Sequence, residues 1–125
     1  MAKKALLEVR WRKEPEDQDY PNAESYLSLI YPAAKTRKLA SALRKAQCVE
    51  FEAKDIFRAS ALPMLGVSNS HVRKDQKKIA GGKPISPLLL VRDRANGKVV
   101  IADGYHRLCA VYTLDEDAAV PCKIV

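Results

Sequence analysis

Apolar and polar positions follow two different periods along the chain. Over residues 23–31, Tyr26, Leu27 and Ile30 fall on one helical face behind Asn22, a residue suited to an N-cap. Pro32 suits the first turn of a second helix, 32–46, in which Leu39 and Leu43 stand at i, i+4 opposite Lys35, Lys38 and Arg44. Together these segments predict a helical hairpin packed on another part of the chain. Ahead of it, residues 5–11 read as a short extended segment and Lys13–Asp19 as an acidic loop.

From residue 48 the period changes to two. Val49, Phe51 and Ala53 alternate with Glu50, Glu52 and Lys54, which predicts a strand leading through Asp55–Arg58 into an irregular stretch with Pro63 and Gly66. Ser68 or Ser70 can cap a helix over 71–80, stopped by Gly81-Gly82. A strand over 88–92 follows Pro84 and Pro87, and Asn96-Gly97 turns it into a partner strand over 98–102. That strand runs through Asp103-Gly104 into a helix over 105–114. Asp115–Asp117 then leads to a last strand, 120–125. Runs of helix and strand without strict alternation predict an α+β fold.

A chain of 125 residues suits one core. Its longest apolar run, Leu88–Val91, is far short of the roughly 18–20 residues that span a bilayer. The N-terminus lacks a long apolar stretch before Glu8 and Arg10, so it does not read as a secretory signal, and the expected location is the cytosol. The formal net charge of +7 favours anionic partners: nucleotides, nucleic acid or acidic protein surfaces. Cys48, Cys109 and Cys122 have neither the number nor the spacing of a disulfide scaffold or a zinc site. Cys109 is the cysteine nearest a basic group, Arg107, but its place inside a predicted helix points to the core. With two histidines and no His-x-x-x-His pattern, no transition-metal site is expected. Glu14, Glu16, Asp17 and Asp19 lack the spacing of a calcium loop.

The stretch that carries chemistry is Asp103-Gly104-Tyr105-His106-Arg107, where a buried strand turns at a glycine into a helix. Free amides and the positive end of the dipole attract an anion to such a helix start. His106 and Arg107 sit in its first turn, where both can donate to one phosphate. Asp103 and His106 are the candidates for proton transfer. A second basic element lies on the helix 71–80, where His71, Lys74 and Lys78 share one face at i, i+3, i+7. The plainer alternative is an ordinary capped turn and a solvated lysine-rich helix.

Residues 48–125 resemble the ParB/sulfiredoxin fold. The matching features run in order: a strand leading to an arginine (Val49 to Arg58), the polar helix His71–Ala80, the strand from Pro87 to Val91, the hairpin, Gly104-x-His106-Arg107, and then a helix and a closing strand, Val120–Val125. The resemblance implies a small mixed sheet flanked by helices, with residues 1–47 as an added strand and helical hairpin packed on the same domain. It also implies that Gly104, Tyr105, His106 and Arg107 hold phosphates, with Arg58 facing the cleft and His71, Lys74 and Lys78 as a cationic wall. The ligand expected is ATP, ADP or CTP with Mg²⁺. Sulfiredoxins carry a catalytic cysteine where this chain has Tyr105, and a phenol cannot replace thiolate chemistry. The free-serine kinases of this fold carry Asp-Gly-His-His-Arg, similar to Asp103–Arg107, but Ser60 stands near the place of their catalytic glutamate. If the protein is an enzyme, a nucleotide-dependent phosphotransferase or hydrolase is implied. Two other functions stay open: a nucleic-acid-binding or nuclease-like protein, and an interaction module without catalysis.

Overall fold

An apolar run such as Leu88–Val91 needs cover on both faces of its strand, and the fold supplies it. The computed structural model describes residues 8–66 and 68–125. Its elements are α1 (Asp19–Leu27), α2 (Ala33–Lys45), β1 (Val49–Glu52), α3 (Ala53–Ser60), α4 (Ser70–Ala80), β2 (Leu88–Asp93), β3 (Lys98–Asp103), α5 (Tyr105–Leu114) and β4 (Ala119–Ile124). A single 3₁₀ turn, Arg94–Asn96, joins β2 to β3, and Gly97 closes it in the left-handed region. The strands form one mixed sheet in the order β1-β4-β2-β3. The β1–β4 and β2–β3 pairs are antiparallel, and β2–β4 is parallel. This is a small α+β fold.

Side chains alternate across the sheet and divide the core in two. Leu88, Leu90, Ile101, Val120 and Cys122 pack with Ile56, Phe57, Val72, Ile79, Leu108 and Val111 from α3, α4 and α5. Leu89, Val91, Val100 and Ala102 pack on the opposite face with Tyr20, Ala23, Leu27 and Leu43 from α1 and α2. The helical hairpin is thus the cover of one sheet face. Lys123 fixes it there: its side chain is 3% exposed, and Nζ donates to the Arg44 carbonyl at 3.1 Å and pairs with Glu14 at 3.0 Å. Burial works to lower the pKa of this ammonium, but its bonds to Tyr20 and Glu14 outweigh that and hold it above the ordinary lysine value.

Several expectations need correction. The first helix covers Asp19–Leu27 rather than 23–31. Pro21 lies in its first turn, where a missing N–H is tolerated, and Asn22 is inside the helix rather than its cap. Its inward residues are Tyr20, Ala23 and Leu27, while Tyr26 and Ile30 are exposed. The strand after residue 48 stops at Glu52, and Ala53–Ser60 is helical. Ile56, Phe57 and Ser60, at helical spacing, supply its buried face. Asn69, not Ser68 or Ser70, caps α4: its Oδ1 accepts from the amides of His71 and Val72 at 3.0 and 3.2 Å. Of the proposed extended segment 5–11, residues 5–7 lie outside the described residues, and Trp11 makes a lone parallel bridge to Ile85. The helix over 105–114 has the expected bounds.

Candidate functional site

The strand-to-helix turn at Gly104 is built by packing as much as by any ligand. Gly104 has φ +110°, and a Cβ there would come within 2.8 Å of Leu88 Cγ and 3.0 Å of Arg107 Nη2. Glycine is therefore required by the chain beneath the turn. No side chain caps α5 at Gly104, in contrast to Asn69 on α4. The first-turn amides of α5 stay unclaimed by a cap and keep their capacity for an anion.

Helices α4 and α5 pack side by side, and between them opens a hollow of about 200 Å³. His71, Lys74, Asp75 and Lys78 line it from α4. Asp103, Gly104, Tyr105, His106 and Arg107 line it from the turn. The two histidines of the chain, far apart in sequence, meet here with ring centroids 4.8 Å apart and planes tilted by 39°. Burial lowers the pKa of His106, His71 adds to that, and Asp75 opposes it. Without a ligand, His106 is accordingly held towards its neutral form. Lys74 and Lys78 are exposed on the rim, free to turn onto an anion.

Arg107 lies lower than its motif position suggests. Its Nε donates to the Ser86 carbonyl at 3.1 Å, and Nη2 donates to the Pro87 carbonyl at 3.3 Å and to Asp103 at 3.0 Å. These bonds tie the start of α5 to the entry of β2. Nη1 makes no hydrogen bond among the described residues, and Arg107 lines the hollow. Asp103 is mostly buried, and burial raises its pKa. Arg107 pulls it back down, while the nearby Asp19 pushes it up again. Asp19 is itself 4% exposed and accepts from the Glu16 amide at 3.0 Å.

Tyr105 is tied down as well. Its hydroxyl donates to the Pro63 carbonyl, fastening the loop after α3 to α5. Cys109 lies beneath, fully buried, and its sulfur accepts from the Leu65 amide at 3.5 Å. Burial raises the Cys109 thiol pKa and pushes that of Cys122 up to about 12. Both thiols belong to the core, where a thiolate is disfavoured.

The hollow thus brings together Gly104, Tyr105, His106, Arg107, His71, Lys74 and Lys78. It does not include Arg58, whose side chain is 83% exposed on α3 and pairs with Asp55 at 3.8 Å. Because residues 53–60 form a helix, Arg58 is turned to solvent as part of an i, i+3 pair. Sequence reasoning missed Asp75, which stands at i+4 from His71 and was available from the same helical spacing. It also missed the proximity of Asp19 to Asp103, for which no local signal exists. Among the described residues, no group of three or more His, Cys, Asp or Glu side chains could hold a metal ion. Nor is any helix among them long and apolar enough to cross a membrane.

No protein-family model, curated protein or solved structure matches the chain.

Proposed function

We propose that this protein binds a nucleotide through its phosphates, in the manner of a ParB/sulfiredoxin-like domain. The observation that carries the reading is the meeting of two independent basic elements, the His71-Lys74-Lys78 face of α4 and the uncapped start of α5, across one hollow. Amides and cations facing each other over a space of this size suit a phosphate group, which accepts from both sides. Lys74 and Lys78 give the charge, the first-turn amides give direction, and His106, held towards its neutral form, can gain a proton as the anion arrives. Arg107 contributes mainly by holding the turn in shape.

A thermal-shift series with ATP, ADP, CTP, GTP and pyrophosphate, with and without Mg²⁺, tests the reading. A ligand at a hundred times its Kd stabilises the fold by about 2.7 kcal/mol. That shift is expected in the wild type and is expected to shrink in Lys74→Ala/Lys78→Ala, whose two side chains are exposed. No shift with any of these ligands, or an equal shift in the double variant, would contradict it.

A further inference from the structure

A second hollow lies on the other side of the α5 turn. Asp103, Gly104, Tyr105 and His106 line both hollows, so the two flank the same short segment. The second is larger, about 460 Å³, within the roughly 300–1,000 Å³ common for small-molecule pockets. Its chemistry also differs. Tyr26, Leu62, Ile101 and Ala102 make it apolar, and Asn22 adds one amide. Tyr26 is 42% exposed and Leu62 37%, so two large apolar side chains stay open to solvent at a concave place. Asn22 and Tyr26 stand at i, i+4 on α1 and share a face. The N-terminal hairpin therefore does more than cover the sheet: it completes one wall of this hollow.

We propose that the second hollow seats the base of the nucleotide whose phosphates lie between α4 and α5, with Tyr26 as its stacking surface and Asn22 reading its edge. The proposal rests on the nucleotide reading above. The shared wall selects this occupant. A ligand with its phosphates on Lys74 and Lys78 that runs over Gly104 enters the apolar hollow next. A flat heterocycle matches both an exposed phenol ring and an amide that can donate and accept. Selectivity among bases would then be set by Asn22, since stacking tolerates any base.

Isothermal titration with ATP, CTP and inorganic tripolyphosphate separates the two halves. The proteins to compare are the wild type, Tyr26→Ala, Tyr26→Leu, Asn22→Ala and Lys78→Ala. Loss of one stacked base is worth about tenfold or more in affinity. Tyr26→Ala is expected to weaken the preferred nucleoside triphosphate by that factor and to leave tripolyphosphate unchanged. Tyr26→Leu, which keeps apolar bulk without the ring, is expected to fall between. Asn22→Ala is expected to narrow the difference between ATP and CTP, and Lys78→Ala to weaken all three ligands. If Tyr26→Ala leaves nucleotide affinity unchanged, or weakens tripolyphosphate equally, the base hollow is overturned. In that case the loss in Lys78→Ala still upholds the phosphate site. If the wild type binds none of the three, both readings fall.

Discussion

Replacing Arg107 with Met removes the guanidinium and keeps an unbranched apolar stem. Three contacts are lost, to the carbonyls of Ser86 and Pro87 and to the Asp103 carboxylate. Hydrogen bonds from a charged donor contribute about 1.5–3 kcal/mol each, but three from one side chain do not add. The larger loss falls on Asp103, whose side chain is 17% exposed and is left without its cation. Breaking a buried pair in this way costs about 3–5 kcal/mol. Asp103 already has a raised pKa, so taking up a proton relieves part of that cost. The expected net loss is about 3 kcal/mol, roughly 9–15 °C in Tm for a chain of this size. Urea unfolding followed by circular dichroism measures it directly. Arg107→Lys keeps a charge for Asp103 but loses the fork to two carbonyls, so about half the loss is expected to return. A Met variant within about 0.5 kcal/mol of wild type, the range of surface substitutions, would refute the assignment of Arg107 as the tie between α5 and β2.

Other substitutions probe other parts of the account. Ala61 closes α3 with φ 57°, a conformation that disfavours a Cβ, so Ala61→Gly is expected to stabilise the fold by about 0.5–1 kcal/mol in the same unfolding experiment. Lys123→Met is expected to cost about 1–2 kcal/mol, because the Arg44 carbonyl loses its donor, and to loosen α1 and α2 first in hydrogen exchange. Asp103 has a pKa raised by burial, so the fold keeps this proton to higher pH than the unfolded chain does. The resulting stabilisation is full below the ordinary value of 3.8 and is lost as pH rises through the raised value. Asp103→Asn cannot titrate, so variant stability minus wild-type stability is expected to rise over that window; a flat difference would contradict the burial of Asp103 as the cause of its raised pKa.

Local signals carried most of what could be read from the sequence. The run from Val99 into α5 contains its own strand, turn and helix start, and the observed helix keeps the expected bounds. The His71-Lys74-Lys78 face depends only on helical spacing, which α4 satisfies. Elements without punctuation were harder. Helix α3 follows β1 with no proline, glycine or capping side chain between them, and Ala53 continues the strand alternation although it already begins the helix. The start of α1 was hidden because its first residue, Asp19, ends an acidic stretch that reads as a loop, and Asn22 looks like a cap although it lies inside the helix. Long-range partnerships left no local trace. Arg107 is held by backbone carbonyls that every residue possesses, and Asp19 reaches Asp103 only because α1 folds over the end of β3. The exposed position of Arg58 followed from the missed helix, since its direction depends on the period assigned to residues 53–60.

The most direct test of the phosphate site is an amide NMR titration of the wild-type protein with pyrophosphate, which has no base to bind elsewhere. The account expects the largest shifts at the amides of Tyr105, His106 and Arg107 and in the imidazole rings of His71 and His106, with little change at Arg58. Shifts centred on another surface, or none at millimolar pyrophosphate, would contradict it.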